Sequence, residues 1–112
     1  MSLLKVRIKM LTIDHVIQLC EEGVGICFKR KPHPLGFKGE WDVSTLGIYI
    51  FVPHCNSLAD RDITLIHEFI HARNDLIFDN ENPDMDIENE ALETYMQTQG
   101  VLDSIKELYS IK

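Results

Sequence analysis

The stretch ITLIHEFIHARND, residues Ile63 to Asp75, decides how this chain is read. Two of the chain's five histidines stand four residues apart in it, with a glutamate directly after the first. Positions four apart on a helix point the same way. His67 and His71 can therefore present two imidazoles to one tetrahedral zinc, and Glu68 beside them can reach a water on that metal. With five His and nine Glu in 112 residues, this spacing arises by chance in roughly 2% of such chains. The flanking Ile63, Leu65, Ile66, Phe69 and Ile70 leave the helix little solvent-facing surface, and two histidines and a carboxylate buried among them without partners would cost several kcal/mol. A Zn²⁺ ion satisfies all three.

Around this helix, the composition narrows the function classes. A chain of 112 residues is expected to form a single domain, 1-112, with room for one site and no separate cofactor domain. The formal charge of −7 argues against a phosphate-backbone partner, so no nucleic acid is expected. Hydrophobic residues make up 45%, and no apolar run approaches a bilayer span, so no membrane partner is expected either. The N-terminal MSLLKVRIKML has no long apolar core followed by a small-residue cleavage site, which points to the cytoplasm. Cys20, Cys27 and Cys55 are odd in number and form no CxxC pair; they read as free, buried thiols of a reducing compartment.

Thr12 is an expected N-cap for a helix whose apolar stripe is Ile13, Val16, Ile17 and Cys20, stopped by Gly23, with His15 beside the stripe. VGICFK alternates as a strand, with Val24, Ile26 and Phe28 on one face. Prolines 32 and 34 then make a loop, with His33 exposed between them. A short strand is expected over Gly39 to Asp42, a turn over Val43 to Leu46, and a β-rich run over Gly47 to Val52, ended by Pro53; Phe37 and Trp41 read as packing residues. Ser57 to Asp60 has the capping-box pattern that opens the ITLIHEFIHARND helix. After the polar loop Asp79 to Asp86 comes a helix bearing Ile87, Ala91, Leu92, Tyr95 and Met96, closed by Gly100, and then a last helix. The order α-β-β-β-α-α-α predicts an α+β fold: a small antiparallel three-stranded sheet packed on the HExxH helix and the helices after it.

A catalytic zinc needs a third protein ligand and an open position for water. The extended HExxHxxGxxH pattern fails, with Asn74 and Ile77 where it needs glycine and histidine. A carboxylate is left, from Asp79, Glu81, Asp84 and Asp86 of the loop or Glu88, Glu90 and Glu93 of the next helix. A helix holds a ligand more firmly than a loop, and Glu90, Glu93 and Thr94 share a face from which Glu88 points largely away. Spacing leaves Glu90 and Glu93 unseparated. The loop's oxygen-rich DNENPDMDIENE lacks the glycine and final glutamate of a calcium-binding EF-hand and reads as solvated.

HEFIH followed by NEALET resembles the gluzincins, in which the third ligand is a glutamate on the following helix, typically with alanine after it. The resemblance implies Glu90 as ligand. Where gluzincins often carry an aspartate four residues later, this chain has Thr94, so orientation of the ligands would fall to Thr94, Glu93 or a backbone carbonyl. Over residues 12 to 98, GVGICFKR, LGFKGEWD, IYIFVP, RDITLIHEFIHA and ENEALETYM are similar in order and spacing to the ImmA/IrrE family of small metallopeptidases. That resemblance implies a zincin-like, minimal-gluzincin core acting on repressor-type regulators. Phe69, Ile70 and MQTQG depart from the family's usual HELGH and LLMP-like segments.

On this reading Glu68 is the general base, taking a proton from the zinc-bound water and passing it to the leaving amine of a peptide. An oxyanion donor is also needed; Tyr95 is assigned, with Tyr49, Tyr109 and His54 as alternatives. The strand GIYIFV is expected to pair with the extended peptide substrate. The alternative function is a catalytically silent, zinc-containing protein-interaction module, against which the presence of Glu68 argues.

Overall fold

The first helix starts where its cap predicts. The Thr12 hydroxyl accepts from the His15 backbone N–H at 3.1 Å, and the Thr12 N–H donates back to His15 Nδ1 at 3.2 Å. This reciprocal cap, with histidine in the place usually held by Glu or Gln, opens α1 (Ile13–Glu21). Gly23, at φ +99°, closes it: its N–H bonds to Cys20 O and the Val24 N–H to Leu19 O, the paired bonds of a left-handed C-cap. The computed structural model describes residues 10–78 and 87–111. The N-terminal segment before residue 10 and the Asp79 to Asp86 loop, with the ligand and calcium readings attached to it, lie outside the described residues.

The three strands are β1 (Gly25–Lys29), β2 (Gly39–Asp42) and β3 (Gly47–Phe51). The fold is α+β as expected, but the sheet is mixed rather than antiparallel. Its order is β1-β3-β2, with β3 parallel to β1 and antiparallel to β2. The Val43 to Leu46 turn makes β2 and β3 neighbours, as its length predicts. Chain order would pair β1 with β2, yet Lys29 of β1 and Gly39 of β2 flank the same end of β3, opposite Phe51 and Ile50. The intervening 30–38 segment crosses over that end. His33 packs its ring edge against Phe51 at 4.8 Å, and the Phe51 N–H donates to Lys38 O at 2.8 Å. The most apolar strand takes the centre, where Ile48 and Ile50 are fully buried.

His33 is consequently not exposed: its side chain is 12% accessible, its backbone N–H donates to His54 Nε2 at 3.1 Å, and Phe37 stacks on it from the more exposed side. Cys27, on the outer edge strand β1, is exposed, against the expectation of burial, while Cys20 and Cys55 are half-buried; all three thiols are free.

After the 3₁₀ turn Val52–His54, Ser57 caps α2 (Leu58–Leu76) by accepting from the Asp60 N–H at 3.0 Å. The helix runs through the middle of the molecule, burying Leu65, Ile66, Phe69 and Ile70 completely. It packs against α3 (Ile87–Gln97), with α4 (Gln99–Leu108) closing the core against α1. Gly100 lies inside α4 and does not end α3; the break falls at Thr98, whose non-helical backbone (φ −131°, ψ 65°) turns the chain. There the bare α-carbon of Gly100 faces Ile13 of α1. No helix of the described residues is long and apolar enough to cross a membrane.

Candidate metal centre

The helical spacing of His67 and His71 is realised on α2. Their Nε2 atoms stand 3.2 Å apart, with ring centroids 4.9 Å apart. Two imidazole nitrogens on one tetrahedral zinc at ordinary bond lengths are separated by roughly 3.3 Å, so the pair fits a shared metal without rearrangement. Burial lowers the proton affinity of both rings. For His67 the neighbouring His71 lowers it further, and Glu88 opposes; for His71 Asp75 opposes. Neutral imidazoles are the form that binds metal.

Glu68 is 6% exposed and turned toward the sheet. A Cβ on Gly39 of β2 would stand 2.7 Å from Thr64 Cγ2 and 2.9 Å from Glu68 Oε2, so the strand comes this near to the carboxylate only because residue 39 is glycine. Thr64 is itself held by a hydroxyl bond to Asp60 O at 2.8 Å. Desolvation, reinforced by the Glu40 carboxylate, pushes the Glu68 pKa up to about 8. A carboxyl that holds its proton near neutrality suits general acid–base work.

An open cleft of about 560 Å³ reaches His67 and Glu68, while His71 does not line it. The 36–39 segment leading into β2 forms one side, Thr64, His67 and Glu68 the floor, and Glu88, Ala91 and Leu92 of α3 the other side. Lys38 spans the mouth to Asp60 on the first turn of α2, with Nζ 2.9 Å from Oδ2. The cleft lies against β2. β3, expected to meet an extended peptide, is paired on both edges and has none free.

The remaining predicted residues take other positions. Glu90 is 2% exposed and gives both carboxylate oxygens to Arg73 of α2, at 2.5 and 3.1 Å. Arg73 is fully buried, bonded also to Asn74 Oδ1 and stacked on Phe78 with its guanidinium carbon 4.6 Å from the ring centroid. Glu88 lines the cleft, although helical spacing set it away from the expected ligand face. Thr94 is fully buried with its hydroxyl lacking a hydrogen-bond partner, and Glu93 is half-buried. Tyr95 packs against the hydrophobic core rather than lining the cleft. The alternatives are engaged elsewhere: Tyr109 donates to Val24 O at 2.7 Å, Tyr49 bonds Thr45 at 2.9 Å, and His54 accepts from His33.

Sequence reasoning missed Asp75, whose Oδ2 accepts from Trp41 Nε1 at 2.7 Å one helical turn beyond His71. The signal was present, since Asp75 continues the His67, His71 spacing by four more residues. Of the donors implied for zinc, the two histidines thus stand as a shared metal needs, while both carboxylate oxygens of Glu90 lie on Arg73. Among the described residues no three His, Cys, Asp or Glu side chains converge, as they stand, in a set that would hold a metal ion. Set against protein-family models, curated proteins and solved structures, the chain matches none of them.

Proposed function

We propose that this chain is a zinc-dependent metallopeptidase with a zincin-like, minimal-gluzincin core, similar to the ImmA/IrrE family, which hydrolyses peptide bonds of a protein substrate such as a regulator or repressor. The observation that carries the reading is the 3.2 Å approach of His67 Nε2 to His71 Nε2, with buried Glu68 beside them on the floor of an open cleft. A structural zinc site has no need of such a carboxylate, whereas hydrolysis needs a base.

Zinc, when bound, supplies Lewis-acid polarisation of the scissile carbonyl and activation of the attacking water. The chain supplies the rest. His67 and His71 are kept neutral by burial and fixed on a rigid helix. Glu68, in its ionised form, would accept the water's proton at its carboxylate and deliver it to the departing amine. Among the described residues β2 is paired on one side only, and the 36–39 segment leading into it borders the cleft, so an extended peptide would add to β2 and not to β3. None of Tyr95, Tyr49, Tyr109 and His54 lines the cleft, which leaves the oxyanion donor unassigned among them.

Elemental analysis of protein purified without chelator tests the reading: near one zinc per chain in the parent, and none in His71→Ala. Glu68→Gln should keep the zinc and lose hydrolysis of unfolded protein substrates. Zinc without hydrolysis in the parent would favour the interaction-module alternative. A parent that neither carries nor takes up zinc would remove the metal reading altogether.

A further inference from the structure

A second open groove, of about 620 Å³, lies between the end of β1, the Val52–His54 turn and the first residues of α2, and shares no lining residue with the histidine cleft. Its apolar surface comes from Phe28, Val52, Pro53 and Leu58, and Leu58 is 70% exposed. Its charged side chains are Arg30 and Arg61, and no carboxylate lines it. That reverses the balance of the whole chain, with its 18 Asp+Glu against 11 Lys+Arg. It also reverses that of the histidine cleft, where Asp60, Glu68 and Glu88 stand with Lys38. Arg61 lies over the Phe28 ring, its guanidinium carbon 5.4 Å from the centroid, and is paired with Asp62. The charge offered to a ligand therefore comes chiefly from Arg30, which is exposed and has no carboxylate partner among the described residues. Lys29 and Lys31 flank it in the chain, also exposed and also without such a partner among the described residues.

We infer that this groove docks an acidic, apolar peptide segment of a partner protein, with an apolar side chain of the segment against Phe28, Val52 and Leu58 and a neighbouring carboxylate at Arg30. Apolar side chains left exposed around a concavity gain from being covered, and the cations at its border select the sign of what covers them. An anionic bilayer or a nucleic-acid backbone would bring its charge against the whole surface, which carries −7. A short segment meets only the local field. Neither His67 nor Glu68 takes part, so docking stands or falls apart from the zinc reading.

The test is fluorescence anisotropy of a labelled, amidated peptide of alternating glutamate and leucine, added to the full chain and to its Arg30→Glu, Leu58→Ser and Lys38→Gln variants. Two counterpart peptides carry lysine for glutamate and serine for leucine. Arg30 and Leu58 are exposed, so both groove variants should melt with the parent. The glutamate–leucine peptide should bind the parent, more weakly as salt rises. It should lose about 5-fold or more in affinity in Arg30→Glu and in Leu58→Ser, and each counterpart peptide should bind the parent more weakly by a similar factor. Lys38→Gln, at the mouth of the histidine cleft, should bind as the parent does, and the backbone amide shifts that move in NMR should be those of 28–30 and 52–58. No saturation up to about 1 mM peptide, equal binding of the serine counterpart, or shifts confined to the 36–39 segment would overturn the docking. Self-association of the parent that Arg30→Glu abolishes in sedimentation would assign the groove to a second copy of this chain, and overturn it as well.

Discussion

Trp41 of β2 donates its indole N–H to Asp75 Oδ2 at 2.7 Å, tying the sheet to α2 one turn beyond His71. Asp75 is also the charge that opposes the burial-driven fall in the His71 pKa. In the proposed zinc site Asp75 would act on His71 through its charge, and the tryptophan holds that carboxylate in place. Asp75→Asn is therefore expected to weaken zinc affinity about 10- to 100-fold with little loss of fold. Trp41→Phe should do the same more weakly, and cost about 1–2 kcal/mol of stability through the lost bond. Competition binding and urea denaturation give the two numbers. Unchanged affinity in Asp75→Asn would show that His71 is oriented by something else.

Gly39 is the contact point between sheet and base. A methyl there meets Thr64 Cγ2 at 2.7 Å and Glu68 Oε2 at 2.9 Å, whereas one on Gly25 meets nothing within 4 Å. Gly39→Ala should cost roughly 1–3 kcal/mol by overpacking. Gly25→Ala should stay within about 0.5 kcal/mol of the parent. Equal stabilities of the two variants in urea would mean that β2 does not approach α2 this closely.

The Arg73–Glu90 pair should behave as a buried ion pair. Arg73→Met and Glu90→Met alone each leave one charge in the core and should destabilise by about 3–5 kcal/mol, while the double variant should recover most of that. The double-mutant cycle is read by chemical denaturation. Additive losses would show that the two charges do not neutralise each other.

Glu68 carries a stability signature of its own. Its pKa rises from 4.5 in the unfolded chain to about 8 in the fold, so between those values the folded state keeps a proton that the unfolded state has lost. The sign follows: the unfolded chain binds fewer protons, and stability of the chelator-treated protein should fall as pH rises through this window, levelling off above it. The total fall should be on the order of 5 kcal/mol. Glu68→Gln has no proton to lose there and should lack this fall, becoming more stable than the parent at pH 8. Superimposable pH profiles would show that Glu68 ionises normally.

The element order and the bounds of most helices and strands were legible from the sequence, because they depend on neighbours along the chain. Thr12 and Ser57 cap helices through bonds three residues away, Gly23 supplies a left-handed turn, and the four-residue turn from Val43 to Leu46 joins two strands that must then pair. The histidine pair was legible for the same reason, since one helical turn sets its spacing.

Tertiary structure decided the rest. β3 takes the centre of the sheet because its residues are the most apolar and the 30–38 segment is long enough to cross its end, which no local pattern states. The different surroundings of Glu88 and Glu90 are of the same kind. Both lie on one helix with the same chemistry. What separates them is Arg73, seventeen residues before Glu90, whose buried guanidinium needs a carboxylate and takes the one that faces it. The sequence by itself determined that two histidines and a glutamate share a helix; only packing put Glu90 on Arg73 and left Glu88 at the cleft with His67 and Glu68.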